Sequence, residues 1–127
     1  MSVKVYWYDD AHTILVQAYA GRPTQQDYYE GSFRAIHAIN EVSHSVDMII
    51  DFNQARPSIR QVLIVAEYTN RNKAQYLNTV VVSGRRVIIQ LFLESVRRFF
   101  PIMSSSSYYA SSFQESLSLI QQKRRKR

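Results

Sequence analysis

Hydrophobic and polar positions alternate from the first residues of the chain. Val3, Val5 and Trp7 interleave with Lys4, Tyr6 and Tyr8, a period of two that sends each set to one face of a strand. Asp9-Asp10-Ala11-His12 supplies turn chemistry, and Thr13 to Tyr19 reads as a second strand. So short a connection implies an antiparallel hairpin. The period changes after Gly21-Arg22-Pro23-Thr24. Thr24 is a good N-cap, with Asp27 in the capping-box position. Tyr29, Phe33, Ile36 and Ile39 then recur at spacings of 4, 3 and 3, the apolar stripe of an amphipathic helix. Gly31 lies inside this helix and costs about 1 kcal/mol relative to Ala. Close packing against a neighbour is the ordinary reason to keep it.

From residue 46 onward, short apolar runs replace simple alternation. Val46 to Phe52 holds the continuous run Met48-Ile49-Ile50, as expected of a strand buried on both faces. Asn53 to Ser58 reads as the following loop, with Ser58 capping a helix that contains Ile59, Val62, Leu63 and Ala66. Thr79 to Val82 is a second central strand, closed by Ser83-Gly84. A helix from Arg85 to Phe99 carries Ile88, Phe92, Ser95 and Phe99 on one stripe, and Pro101 stops it. Ser104 to Ser107 is a polar connection, Tyr108-Tyr109-Ala110 a brief edge strand, and Ser112-Phe113-Gln114-Glu115 a capping-box pattern ahead of Leu117 and Ile120. The order β-β-α-β-α-β-α-β-α implies an α/β domain with a single mixed sheet: an N-terminal antiparallel hairpin, then right-handed βαβ crossovers. No internal repeat or domain boundary interrupts it, so residues 1–122 read as one domain and 123–127 as a tail.

Composition sharpens this picture at two points. The chain has 127 residues and no cysteine. That length suits a single core, and disulfides and thiolate metal sites are excluded. The net charge of +6 suggests nucleic acid until it is located. The last five residues, Lys123, Arg124, Arg125, Lys126 and Arg127, are all basic. Without them eleven basic residues face ten acidic ones, so the body is nearly neutral, unlike most folded nucleic-acid modules. The opening residues lack the apolar region of a signal peptide, and no apolar stretch approaches the length of a membrane span. A soluble, cytoplasmic protein is expected.

Candidate chemistry is sparse. His12, His37 and His44 fall in a turn, a helix and a connector, none at metal-binding helical spacing. There is no Gly-x-Ser-x-Gly elbow and no glycine-rich phosphate loop, since Gly21, Gly31 and Gly84 are far apart. The expectation is a binding protein, not an enzyme, with no cofactor and no metal. Ser83-Gly84-Arg85-Arg86 is the more informative segment. A strand end leading into a helix start presents amide N–H groups and a positive dipole end, and two arginines add forked donors. Crossovers of one hand put the loops after the third and fourth strands on the same sheet edge. Asn53, Arg56, Ser58, Ser83, Gly84, Arg85 and Arg86 therefore form the candidate ligand or partner surface at the carboxyl edge. Nine Tyr, six Phe and one Trp leave some aromatic rings for an interface or an apolar groove.

This element order resembles the STAS domain, the fold of the bacterial anti-sigma-factor antagonists. It is also similar to small STAS-like proteins grouped with CRAL-TRIO lipid-binding domains. The resemblance rests on Ile14-Leu15-Val16 leading to Gly21, on Val46-Asp47-Met48-Ile49-Ile50-Asp51, on Val80-Val81-Val82-Ser83-Gly84 and on Phe113-Gln114-Glu115-Ser116-Leu117. In partner-switching members a Ser or Thr near the start of the helix after the third strand is phosphorylated, usually in an Asp-Ser-Ser/Thr-Gly setting. Ser58 stands near that position, yet it follows Pro57 and lacks both the Asp and the Gly. The resemblance thus implies the fold and a regulatory or protein-interaction role, not the phosphosite. Three expectations stand: a homodimeric interaction domain working through the carboxyl-edge loops; a carrier of a small apolar or lipid-like ligand; and salt-sensitive attachment to nucleic acid or an anionic membrane through residues 123–127.

Overall fold

The computed structural model describes residues 3–71, 76–87, 89–91, 94 and 107–126, the side chains of 66–71 excepted. The elements are β1 (Val3–Trp7), β2 (Ile14–Gly21), α1 (Gln25–Asn40), β3 (Val46–Ala55), α2 (Ile59–Arg71), β4 (Leu77–Ser83), β5 (Ser107–Ala110) and α3 (Phe113–Arg125). Residues 86, 87, 89–91 and 94 are helical between β4 and β5. Five strands form one sheet in chain order, β1-β2-β3-β4-β5. β1 pairs antiparallel with β2, and every later pair is parallel. The mixed α/β sheet with its N-terminal hairpin is the expected one.

Side-chain alternation along the strands divides the core between two faces. On one, α1 and α2 pack against the sheet: Ala35 and Ile39 join Leu15, Val46 and Met48, while Tyr28 and Val65 join Tyr19, Phe52 and Val82. On the other, Ile120 of α3 sits among Ile14, Val16, Ile49, Val81 and Ala110. Each fully buried aliphatic side chain contributes about 1.5–3 kcal/mol. β3 is buried on both faces, which accounts for its unbroken apolar run.

Several expectations shift. The stripe of α1 that meets the core is Tyr28, Gly31, Ser32, Ala35 and Ile39, one position round from the expected one. Small residues let the helix lie close to the sheet, and Phe33 is left 60% exposed. Gly31 has the packing reason expected of it. A Cβ there would meet the Tyr19 hydroxyl, and Gln17 Nε2 at 2.9 Å. β3 runs to Ala55, so Asn53 to Ala55 are strand and not loop. Parallel pairing holds them: Gly21 stands opposite Ala55, and Arg56 N–H donates to Gly21 O at 2.7 Å. Ser107 belongs to β5, opposite Val80. The stripe Ile88, Phe92, Ser95 and Phe99, the stop at Pro101 and residues 104–106 lie outside the described residues, as does the Ala66 side chain. Among the described residues of that helical segment, Ile89 is the buried one.

The caps follow the sequence with one change. At α1 the capping box is complete, Asp27 accepting from Thr24 N–H at 2.7 Å and donating its own N–H to Thr24 Oγ1 at 3.2 Å. At α3, Ser112 Oγ accepts from Glu115 N–H at 3.0 Å. The Glu115 carboxylate, however, turns to the amide and hydroxyl of Ser111.

Candidate functional site

Successive parallel strands that advance in one direction leave their ends along one edge, but strand order never reverses. The sheet therefore has no topological switch point to open a crevice. A concavity at the carboxyl edge has to be built by the residues that leave the strands. Gly21 does this at the end of β2. Its φ of +67° is a left-handed conformation natural to glycine, and it swings Arg22 out over the neighbouring strand end. At the end of β3, Arg56 follows directly on the hydrogen bond to Gly21. At the end of β4, Asp51 stands opposite Ser83, and Arg85 comes two residues later.

These three ends enclose an open concavity of about 360 Å³ lined by Gly21, Arg22, Asn53, Gln54, Ala55, Arg56 and Arg85. All three arginines are exposed. No Asp or Glu is among the lining residues, and none of the three arginines is ion-paired among the described residues. The nearby Asp51 carboxylate accepts from Asn53 N–H at 2.8 Å and from Asn53 Nδ2 at 2.7 Å. Asn53 Nδ2 also lies 2.8 Å from Ser83 Oγ, to which it donates. The asparagine is thus held by Asp51 of its own strand and by Ser83 of β4.

Asn53, Arg56 and Arg85 are brought together as the sequence suggests. The other candidates are not. Ser58 caps α2, its amide donating to the Tyr28 hydroxyl at 3.1 Å and its Oγ accepting from Gln61 N–H at 3.4 Å. Ser83 is fully buried. Gly84 uses its N–H on Ala110 O at 3.2 Å, and a Cβ there would touch Ile89 at 3.0 Å and Phe52 at 3.2 Å. The Ser83-Gly84 turn is accordingly a packing point, and the Gly84 amide, already bonded, is not free to cradle an anion. Arg86 is not among the lining residues, and its charge acts on Tyr109 of β5 and Glu115 of α3. Gln54 and Ala55 join the lining from within the expected loop, and Gly21 and Arg22 are the residues that sequence reasoning placed elsewhere. They read there as a break before a helix, whereas the parallel partner of β2 brings them to the site.

The chain matches no family model and no curated protein.

The remaining candidates have local tasks. Trp7 and His12 stack with ring centroids 4.6 Å apart, His37 pairs with Glu41 at 3.0 Å, and His44 lies 3.2 Å from Ser45 O. Much of the aromatic surplus is core: Tyr19 lies 5.2 Å from both Tyr28 and Phe52. The basic C-terminus is less of a tail than expected, because α3 continues through Arg125. Arg124 Nε donates to Asp47 at 2.7 Å, and its Nη2 to Thr13 O at 3.0 Å. Asp47 is 1% exposed and also accepts from Thr79 N–H at 3.0 Å. The ammonium of Lys123 lies 4.2 Å from the ring centroid of Tyr108. Arg125 and Lys126 stay exposed, and Arg127 lies outside the described residues.

Chemically, the concavity offers three guanidinium forks on one polar floor. Guanidinium matches carboxylate or phosphate oxygens two at a time. The arrangement is suited to holding an anion, and its open shape suits a group carried on a larger molecule.

Proposed function

We propose that this is a non-enzymatic interaction domain of STAS-like kind that receives an acidic segment of a partner protein at the carboxyl edge of its sheet. One observation carries the reading: Arg22, Arg56 and Arg85, from three separate strand ends, line one concavity that contains no carboxylate. Cations of one sign gathered at an edge repel one another. An acidic ligand relieves that repulsion and supplies the missing half of each fork. Exposed charge also steers association and sets specificity more than it adds raw affinity, as befits a regulatory contact that must release.

The test is titration of a fluorescent oligo-glutamate peptide, followed by anisotropy, with wild-type protein and the triple variant Arg22→Gln, Arg56→Gln, Arg85→Gln. Exposed charge pairs contribute about 0.2–1 kcal/mol each, so binding is expected to weaken about threefold to a hundredfold in the triple variant. Arg125→Gln with Lys126→Gln serves as the comparison. If those tail substitutions weaken binding and the triple variant does not, the acidic segment is held by the C-terminus and the proposed site is wrong.

A further inference from the structure

The β1 edge of the sheet carries a second surface, lined by residues other than those of the arginine concavity. β1 is an edge strand, and its hydrogen-bonding parity is set by the hairpin. Tyr8 N–H donates to Ile14 O at 2.8 Å, and Trp7 stands opposite Leu15. Antiparallel alternation then assigns Lys4, Tyr6 and Tyr8 to bonds with β2. Val3, Val5 and Trp7 turn their N–H and C=O groups outward. The far side of β2 agrees, since Thr13 O receives Asp47 N–H from β3 at 2.9 Å. An unpaired row of this kind is a template for another strand.

Aromatic rings flank the open edge on both faces of the sheet. On the α1 face Phe33 is 60% exposed, beside a groove of about 210 Å³ whose lining includes Val5, Trp7 and His37. On the α3 face Tyr6 and Tyr8 are 45% and 48% exposed, with Tyr8 resting 5.6 Å from Phe113. A strand added here would be covered above and below.

We propose that the added strand is β1 of a second copy, paired antiparallel about a two-fold axis at Val5, so that two sheets join into one. The self-complementary pattern of β1 selects the occupant, and charge selects the register. Lys4 is the sole charge on β1, and an edge lysine ordinarily deters pairing. A two-fold at Lys4 would set ammonium against ammonium. A two-fold at Val5 pairs the whole of Val3–Trp7 and sets each Lys4 against Tyr6 of the partner subunit, in the close non-hydrogen-bonded position. There the lysine meets an aromatic face. Val3 then bonds Trp7 of the partner subunit, and the two Val5 residues bond each other.

Sedimentation of the full chain over a concentration series tests the pairing. Wild-type protein is expected at twice the chain mass, with Phe33→Asp and Val5→Pro at the single-chain mass and unchanged circular dichroism. Proline suits this position because the Val5 N–H is not used by β2. Should Val5→Pro fail to fold, Phe33→Asp decides alone, since that side chain is mostly in solvent. Val5→Cys tests the register in a chain without other cysteines. Hydrogen-bonded pairs have Cα atoms about 5.5 Å apart, within disulfide reach, so mild oxidation should link two chains. Val87→Cys, 71% exposed and elsewhere on the surface, should link far more slowly. A wild-type monomer at every concentration overturns the proposal, as does a dimer indifferent to Phe33→Asp, or equal cross-linking at both cysteines.

Discussion

At the scale of single residues, a few side chains oppose their own local preferences because a neighbour requires it. Gly31 is the clearest. Alanine there would gain about 1 kcal/mol of helix propensity, but its methyl would enter the space held by the Tyr19 hydroxyl and Gln17. Tyr19 is 3% exposed and closely packed with Tyr28 and Phe52. Overpacking of this kind costs about 1–3 kcal/mol. Gly31→Ala should therefore lower the urea midpoint, and a raised midpoint would show that Tyr19 moves freely aside. Asp9 holds the hairpin turn in a similar way. Partial burial pushes its carboxyl upward, but hydrogen bonds from the Thr13 hydroxyl and from the amides of Ile14 and Thr13 outweigh this and hold it below the usual carboxylate value. A depressed folded-state value means that Asp9 stabilises the protein above its unfolded pKa. The contribution disappears as pH falls through the folded value. Melting temperatures measured between about pH 2 and 6 should accordingly fall less steeply for Asp9→Asn than for wild type. Parallel curves would remove Asp9 from the acid response.

Among the elements, α3 departs most from its sequence reading. Its capping serine and its apolar positions Leu117 and Ile120 are visible in the chain, yet the run 123–127 looks like a solvated tail. Arg124 instead clamps α3 to Asp47 on β3 and to the end of the β1–β2 turn at Thr13. Removing one partner of a buried pair leaves the other charge unpaired, at a cost of about 3–5 kcal/mol. Arg124 is 29% exposed at the side chain, which places Arg124→Met near the lower figure. Arg125→Met, on an exposed position of the same turn, should stay within about 0.5 kcal/mol. Chemical denaturation of the two variants makes the comparison, and equal losses would mean that water takes over the guanidinium's place. The same clamp explains why truncation at residue 122 is a poor probe of the charged C-terminus. It would remove a structural ion pair along with the surface charge.

For the whole molecule, the two proposed surfaces differ in how they respond to salt. Each chain carries a net charge of +6, so two copies repel as they meet, and added salt screens that repulsion. Acidic peptide bound among Arg22, Arg56 and Arg85 is held by attraction, which salt weakens. Raising sodium chloride from about 50 to 300 mM should leave self-association unchanged or stronger while peptide binding declines. A parallel decline in both would mean that self-association, too, runs on attraction between opposite charges. No helix of the described residues is long and apolar enough to cross a membrane.

Periodicity alone was enough to place most strands and helices, because a strand or helix buries a face and therefore repeats its apolar residues at a fixed spacing. It also marked the capping residues, whose hydrogen bonds are local. Contacts between distant segments have no such period. The choice of Gly31, the outward turn of Phe33, the role of Arg124 and the meeting of Arg22 with Arg56 and Arg85 each depend on which strand lies beside which. Pairing of β2 with β3 brings residues 21 and 55 together, and no local pattern in either segment encodes that neighbour.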